Sequence, residues 1–296
     1  MPHFVRPVLT FALAAALTLL PPFLPFASLH PLASSRLAAQ EITWEPWVLD
    51  VGNERHEAEM GHLTVPEVRG TPAGAEGGSG SVILAFVRLA SRSDEPGPPI
   101  VYLDGGPGGK GVGIAQVPAY WRLFDSLRDV ADVILLSQRG TGLSAPQFVC
   151  GLSGPLPTDV FTTRDRMMEV LEPEVESCAG SWRERGVDLS GYTTLESADD
   201  LESLRRALGA ERLNLLAFSY GTHLALATLR RHPQRIHRAV LIGTEGLAAT
   251  YKLPSTLDAQ LHHLAARVAR DPEGAAATPD LAAAIDSLLA RLSWES

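Results

Sequence analysis

The sequence has few cysteines and no cluster of basic residues. Only 2 of its 296 residues are cysteine, too few for a metal site built from four thiolates. Lys and Arg number 25 against 34 Asp and Glu, so the formal net charge is −9 and a nucleic acid finds no basic face to bind. A hydrophobic content of 45% is enough for a sizeable core. We expect one or two domains and neither a metal nor a cofactor.

Long apolar runs are missing too, apart from one near the N-terminus. Residues 1–39 combine an Arg in the stretch MPHFVRP, the uncharged run Val8–Leu20, and the small residues Ala38 and Ala39. This pattern predicts an export signal cleaved near Gln40, and hence a periplasmic or extracellular protein. The run is shorter than the roughly 20 residues of a membrane-spanning helix, so an uncleaved membrane anchor is the weaker alternative.

Export bears on the interpretation of the two cysteines. Cys150 and Cys178 would meet an oxidising compartment, where we expect a disulfide between them. Two buried free thiols remain the alternative, because sequence spacing alone does not bring two side chains together. No cysteine precedes position 150, so none can accept a lipid at the end of the export signal.

Apolar strands and amphipathic helices alternate along most of the chain. Gly61–Val65 and Ser81–Leu89, joined by a Gly-rich stretch, predict an antiparallel hairpin. Four later apolar runs predict buried strands: Ile100–Leu103, Val130–Leu136, Leu213–Phe218 and Ile236–Ile242. Helices are predicted at Tyr120–Leu127, between a capping box of Thr193 and Glu196 and Gly209, and at His223–Arg231. The alternation predicts an α/β fold with a mainly parallel sheet of six strands.

From Pro254 onward the pattern is helical, without further strands. One helix is predicted after Pro254 and another after Thr278 and Pro279, with apolar residues at helical spacing: Leu257, Leu261, Leu264, Val268, Leu281, Ile285 and Leu288. We therefore divide the chain into an export signal (1–39), an α/β core (40–250) and the start of a helical lid (251–296).

The strongest chemical motif is Ala217-Phe218-Ser219-Tyr220-Gly221, placed between an apolar strand and an apolar helix. This is the context of a nucleophile elbow, a strained turn that needs small residues two positions before and after the nucleophile. We expect Ser219 to be the nucleophile, at the carboxyl edge of the sheet. The N–H of Tyr220, at the head of the helix, is expected to form half of an oxyanion hole.

A glycine-rich loop, Asp104-Gly105-Gly106-Pro107-Gly108, follows the strand Ile100–Leu103. Backbone without side chains can approach a reacting carbonyl closely, so this loop suits the other half of the oxyanion hole. Pro107 has no N–H to donate, which makes Gly106 the expected donor.

The same loop also matches a nucleotide-binding pattern, G-x-G-x-x-G, from Gly106 to Gly111. The match is poor because Pro107 removes an N–H that would face a phosphate, and because no acidic residue ends the next strand. A Walker-type phosphate loop fails as well, since Gly111 follows Lys110. Nucleotide binding is therefore a distant alternative.

A third segment, Ser137-Gln138-Arg139-Gly140-Thr141-Gly142-Leu143-Ser144, follows the strand that ends at Leu136. Arg139 is expected to brace the neighbouring loops through charge-assisted hydrogen bonds to backbone carbonyls.

Together, the three segments resemble the α/β-hydrolase family of prolyl and tripeptidyl aminopeptidases. That family has a Gly-Gly-Pro-Gly loop, an Asp-Gln-Arg-Gly-x-Gly-x-Ser segment and a Gly-x-Ser-Tyr-Gly elbow, and the resemblance runs from about Trp47 to the end of the sequence. Two positions differ. Asp104 stands where prolyl aminopeptidases usually have His, which argues against proline specificity. Ser137 stands where Asp is usual, which predicts weaker bracing of its loop.

The resemblance implies an α/β-hydrolase fold and an exported serine aminopeptidase that acts through an acyl-enzyme on Ser219. It also implies the cysteine pairing, since the exported branch usually has one Cys after the Arg-Gly segment and another before a Gly-x-Asp-Leu stretch. Here these are Cys150, Cys178 and residues 186–189. The same machinery suits an esterase acting on small-molecule esters, so the substrate is a peptide or an ester.

The other two triad residues of such enzymes follow in the order acid, then His. Only 75 residues follow Gly221, and the last histidines, His262 and His263, lie on the predicted helix after Pro254, where we expect them to be solvated or packed. We therefore expect the acid and His beyond Ser296, a core that is incomplete after the sixth strand, and a chain that is nearly inactive by itself, whether truncated or degenerate.

Glu245 comes just after the last predicted strand, at the edge of the sheet where Ser219 is expected. It can bind the free amine of a substrate, stand in as the orienting acid, or brace its own loop. His223 and His232 are expected to pack or to face solvent, and Asp199 and Asp200 to be solvated or structural.

Overall fold

A mixed sheet of seven strands organises the residues that the computed structural model describes, namely 41–70, 80–248 and 254–292. Its order is β1-β2-β3-β5-β4-β6-β7. Pairing is antiparallel from β1 through β2 and β3 to β5, and parallel from β5 through β4 and β6 to β7. The strands are β1 (Thr43–Val51), β2 (Glu54–Pro66), β3 (Ser81–Leu89), β4 (Ile100–Leu103), β5 (Val133–Leu136), β6 (Leu213–Phe218) and β7 (Ile236–Ile242).

The predicted hairpin and the parallel strands are present, but the count of six strands is wrong. The additional strand is β1, in which only Leu49 and Val51 are buried, so its sequence lacks an apolar alternation. The strand predicted to begin at Val130 begins at Val133, because the backbone before it turns back onto Leu127. The strand called sixth from the sequence is therefore β7.

Seven helices lie within the described ranges: α1 (Pro118–Leu127), α2 (Arg164–Glu184), α3 (Thr194–Ala207), α4 (Tyr220–Arg231), α5 (Pro254–Val268), α6 (Pro272–Ala277) and α7 (Leu281–Leu292). The longest, α2, was not predicted. None of its residues is buried, but Met167, Leu171, Val175, Cys178 and Trp182 recur along it at helical spacing, so a periodic signal is present. The short α6 was not predicted either. The last helix begins after Asp280, whose carboxylate accepts from Ala283 N–H, and not at Thr278 and Pro279.

The sheet buries side chains on both faces. On one face, β-strand residues pack against Leu201 and Leu204 of α3 and Leu224 of α4. On the other face, they pack against Trp121 and Phe124 of α1. The helices therefore hold the parallel strands from both sides, which fixes the loops at their carboxyl ends.

A buried ion cluster ties the Arg139 loop to α3 and to the end of β2. The Arg139 guanidinium binds both carboxylate oxygens of Asp200 at 2.7 Å, and it donates to the carbonyls of Glu67 and Gly191, as expected from the sequence. Arg69 donates to the same Asp200 carboxylate at 2.6 Å. Burial lowers the pKa of Arg69, but the charges and hydrogen bonds of Asp200 and Glu196 outweigh it and raise the pKa above its ordinary value.

The same cluster changes the predicted capping box at the start of α3. Thr193 Oγ1 accepts from Glu196 N–H at 3.2 Å, as a capping residue does. The Glu196 carboxylate does not return to Thr193, because it binds the backbone N–H and the guanidinium of Arg69. The ion pair with Arg69 thus replaces the hydrogen bond that the Glu196 side chain would make to Thr193 N–H in a capping box.

Cys150 and Cys178 are joined in the structure, with Cα atoms 5.8 Å apart and a sequence separation of 28. The bond attaches α2 to the segment that follows the Arg139 loop. The predicted export signal at 1–39 and its cleavage near Gln40 lie outside the described residues. Among those that are described, no helix is long and apolar enough to cross a membrane.

Replacing both Cys150 and Cys178 with alanine is expected to lower the free energy of unfolding by about 3 kcal/mol, because the unfolded chain regains the entropy of a closed loop. Urea unfolding followed by tryptophan fluorescence measures the change. Adding a reductant to the unmodified protein should give the same loss, and adding it to the double variant should change nothing. An unchanged unfolding midpoint in the double variant would contradict the expectation.

Candidate active site

Four loops meet at the carboxyl edge of the parallel strands. Because β4 lies between β5 and β6, the glycine-rich loop after β4 lies between the Arg139 loop and the turn at Ser219, and Glu245 follows the neighbouring β7. Parallel strands place their carboxyl ends at one edge, where open α/β sheets bind ligands. The topology therefore collects the sequence-predicted site residues in one place.

Ser219 sits in a strained turn between β6 and α4. Its φ of +50° makes it the one residue other than glycine with a positive φ in the described part of the chain. Its N–H donates to the Ile242 carbonyl of β7 at 2.9 Å, and its carbonyl accepts from Thr222 N–H at 2.8 Å, so both sides of the turn are held. A serine kept in this conformation by its surroundings is the geometry of a nucleophile elbow.

Close packing around the turn explains why its neighbours are small. A Cβ on Gly221 would lie 2.1 Å from the Leu103 carbonyl oxygen of β4. A Cβ on Gly105 would lie 2.9 Å from Ser219 Cβ and 3.5 Å from its Oγ. The elbow is therefore pressed directly onto β4 and the glycine-rich loop, with no room for a side chain in between.

The loop after β4 has one backbone donor that is used and one that is not. Gly105 N–H is occupied, since it donates to Asp104 Oδ1 at 2.9 Å. Gly106 has a φ of +117° and, within the described residues, its N–H has no acceptor. Tyr220 is the first residue of α4, so its N–H is directed out of the helix start. The assignment of Gly106 and Tyr220 to an oxyanion hole stays a prediction.

Asp104, at the position where prolyl aminopeptidases usually have His, braces this loop. Besides Gly105 N–H, its Oδ1 accepts from the Tyr102 hydroxyl at 3.0 Å, and its carbonyl accepts from Gln138 Nε2 at 3.0 Å. Burial, followed by the charge and hydrogen bond of Asp104, raises the pKa of Tyr102, so the phenol remains a donor.

The loop does not lead directly into a helix, as a dinucleotide-binding turn does. A 3₁₀ turn at Gly113–Gln116 intervenes before α1 begins at Pro118. The helix N-terminus that would face a pyrophosphate is therefore displaced from the glycines, which weakens the nucleotide-binding alternative further.

Ser137 braces its loop despite the missing carboxylate. Its Oγ accepts from Leu143 N–H at 3.2 Å, and its carbonyl accepts from the Ser144 hydroxyl, which in turn accepts from Ala85 N–H. Its side chain fills the space that a Cβ on Gly142 would enter, at 2.5 Å from Oγ. That Ser137 braces this loop more weakly than Asp would stays a prediction.

Glu245 contacts the nucleophile. Ser219 Oγ donates to Glu245 Oε1 at 3.1 Å. The backbone of Glu245 is held by Thr222, whose Oγ1 accepts from Glu245 N–H at 2.8 Å and donates to the Ser219 carbonyl at 2.6 Å. One buried hydroxyl thus fixes the loop after β7 relative to the turn at Ser219. Thr222 was not predicted from the sequence, where its signal is a hydroxyl in the first turn after the elbow.

No described histidine hydrogen-bonds to Ser219. His223 stacks on Tyr220, with its Nδ1 3.3 Å from the Gly246 carbonyl, and His232 Nε2 lies 2.8 Å from Asp199 Oδ1. His262 faces solvent on α5, with its Nδ1 2.8 Å from the Asp258 carbonyl. His263 is exposed on the same helix.

Asp199 and Asp200 are both structural. Asp199 binds Arg231 and His232 at the end of α4, while Asp200 belongs to the buried ion cluster. Burial would raise the pKa of Asp199, but the hydrogen bonds from Arg231 and His232 lower it below its ordinary value.

A further contact outside the sequence prediction links α3 to the elbow, with Thr194 Oγ1 3.0 Å from the Tyr220 hydroxyl. Across the described ranges, no group of three or more His, Cys, Asp or Glu residues could hold a metal ion.

Similar proteins place this arrangement in a family. A sequence model of the alpha/beta hydrolase fold matches residues 98–291. A tripeptidyl aminopeptidase of Streptomyces coelicolor is 29% identical over 222 residues, which cover 71% of this chain and 39% of that protein. The serine protease Hip1 of Mycobacterium tuberculosis is 28% identical over 171 residues, covering 54% and 32%.

Among solved structures, a proline iminopeptidase-related protein of Thermus thermophilus aligns with 24% identity and a TM-score of 0.31, over 61% of this chain and 44% of its own. The chain spans about two fifths of the length of the Streptomyces relative. The family match itself covers more than half of the chain and includes the glycine-rich loop, the Arg139 loop, the elbow and Glu245. The chain belongs to the α/β-hydrolase fold family.

Proposed function

We propose that this protein is an exported serine hydrolase that removes N-terminal residues from peptides through an acyl-enzyme on Ser219. The observation that carries the proposal is the positive φ of Ser219 at the tip of a turn between β6 and α4. Such strain survives only where surrounding structure maintains it, and it is concentrated at functional sites. The peptidase names of the sequence relatives support the choice of a peptide over a small ester.

The chemistry follows from the groups around the turn. Ser219 Oγ would attack the scissile carbonyl carbon, so that an Oγ–C bond forms and negative charge develops on the carbonyl oxygen. The N–H groups of Gly106 and Tyr220 would stabilise that charge. The C–N bond then breaks, and the amine departs with the proton that Ser219 Oγ gave up. Water hydrolyses the ester, which releases the acyl group as a carboxylic acid and returns a proton to Oγ. Export is supported by the apolar run Val8–Leu20 behind its N-terminal Arg.

A fluorophosphonate probe tests the nucleophile. The whole protein, including any residues that follow Ser296, is expected to form an adduct at Ser219, with an Oγ–P bond made and fluoride released, and Ser219→Ala should lose that adduct completely. Intact-mass spectrometry and peptide mapping measure the stoichiometry and the position. Ser126→Ala, which removes a hydroxyl from the exposed face of α1, serves as the matched control and should be labelled like the unmodified protein. If Ser219→Ala were labelled as much as the unmodified protein, the assignment of Ser219 as the nucleophile would be wrong.

A further inference from the structure

Among the residues that the structure describes, no basic side chain forms an ion pair with the carboxylate beside the nucleophile. Within the described part of the chain, the Ser219 hydroxyl donates to the Glu245 carboxylate, and no Lys, Arg or His side chain pairs with it. The carboxylate is half-buried, and Thr222 holds its backbone in place. A fixed, partly desolvated anion at a reaction centre favours a ligand that carries a positive charge at that position.

Covalent geometry fixes which amine of a bound peptide can lie close enough to the Glu245 carboxylate to bind it. In an acyl-enzyme, the α-nitrogen of the residue bonded to Oγ is three bonds away, at about 3 Å with ordinary bond lengths. Glu245 Oε1 is 3.1 Å from the same Oγ, so the α-nitrogen and the carboxylate can be in hydrogen-bond contact. The amine of a tripeptidyl group lies two residues further away, about 7 Å more along an extended chain.

We infer that Glu245 binds the protonated α-amine of the residue whose carbonyl Ser219 attacks, so that the protein releases single N-terminal residues and not longer fragments. This inference rests on the proposed function, since it needs Ser219 as the nucleophile. The amine must be free, because acylation removes the charge and fills the space beside the carboxylate. Thr222 acts as a positioning residue that keeps Glu245 at this distance.

The same contact has another chemical interpretation, in which Glu245 removes the proton from Ser219 as a general base. The two roles differ in what they require of the substrate. A base accelerates attack on every carbonyl or phosphorus centre alike, whereas an amine-binding carboxylate favours only ligands with an ammonium group next to that centre. A comparison of ligands with and without the amine therefore separates the roles.

Three phosphonate probes make that comparison on the whole protein, including any residues that follow Ser296: diphenyl 1-aminoethylphosphonate, its N-acetyl derivative, and a tripeptidyl phosphonate with two further alanines. Each forms an Oγ–P bond at Ser219 and releases phenol. We expect the single-residue probe with the free amine to label Ser219 about tenfold faster than the other two, as a charge-assisted hydrogen bond predicts. In Glu245→Gln the labelling rate of the free-amine probe, divided by that of either other probe, should fall to about one. Glu211→Gln, the same change at the opposite end of β6, should keep the ratio of the unmodified protein.

The outcomes are separable. Equal slowing of all probes in Glu245→Gln, with their ratio preserved, would identify a base and overturn the inference while leaving Ser219 as the nucleophile. Preference for the tripeptidyl probe would overturn it as well. Failure of both the fluorophosphonate and the phosphonates to label Ser219 would instead overturn the proposed function. Thermal unfolding of each variant confirms that the compared proteins are folded.

Discussion

Replacing Asp200 with alanine is expected to lower the free energy of unfolding by about 3–5 kcal/mol, as removal of one partner from a buried ion pair does. Asp200 is 3% exposed, and its carboxylate binds both Arg139 and Arg69. The variant leaves the Arg139 guanidinium, whose side chain is 1% exposed, without the carboxylate that accepts two of its hydrogen bonds.

Neighbouring groups cannot repair that loss. Glu196 is 3.7 Å from Arg139 but is already bound to Arg69, and the carbonyls of Glu67 and Gly191 carry no full charge. Because Arg139 joins the end of β2, its own loop and α3, the variant should also loosen the loop that Gln138 holds against Asp104. We therefore expect slower labelling of Ser219 alongside the loss of stability.

Urea unfolding, extrapolated to water, measures the first effect. Asp129→Ala is the matched control, because it removes an aspartate from an arginine pair in which both side chains are well exposed, and it should change little. An Asp200→Ala variant as stable as this control would show that the buried cluster contributes nothing to the fold.

The site was predictable where the chemistry depends on local sequence. Small residues around Ser219, an apolar strand before it and an apolar helix after it are enough to indicate an elbow, and the structure supplies their physical reason in the contact between Gly221 and β4. The glycine-rich loop was predictable for the same reason, since its backbone conformation at Gly106 excludes most side chains.

Features that depend on distant contacts were not predictable. The strand β1 has little apolar alternation, so it gives no clear periodic signal. The pairing of Glu196 with Arg69 joins residues that are 127 positions apart, and local rules assigned that glutamate to a helix cap instead. Thr222 likewise connects the turn at Ser219 and the loop after β7 through one hydroxyl, and the spacing of residues in the sequence does not predict this contact.

Replacing Gly221 with alanine is expected to have the largest effect at the site itself. The added Cβ would meet only backbone: the Leu103 carbonyl oxygen at 2.1 Å, its carbon at 2.7 Å and the Asp104 carbonyl oxygen at 2.9 Å. A flexible side chain could move away, but here α4 and β4 must separate. We expect a loss of about 3 kcal/mol or more of unfolding free energy, at the upper end of overpacking substitutions.

The sign of this effect makes the test decisive. Gly221 lies within α4, where alanine is intrinsically favoured over glycine by about 1 kcal/mol, so any destabilisation has to come from the contact with β4. Gly180→Ala in α2 is the matched control: nothing lies within 4 Å of its added Cβ, and it should stabilise the protein by about 0.5–1 kcal/mol.

Because the separation of α4 from β4 also moves Gly105 and Gly106 away from Ser219, fluorophosphonate labelling of Gly221→Ala should fall about a hundredfold. If Gly221→Ala instead gained stability like Gly180→Ala and kept its labelling rate, the elbow would not be pressed onto β4, and the oxyanion hole would have to be sought elsewhere.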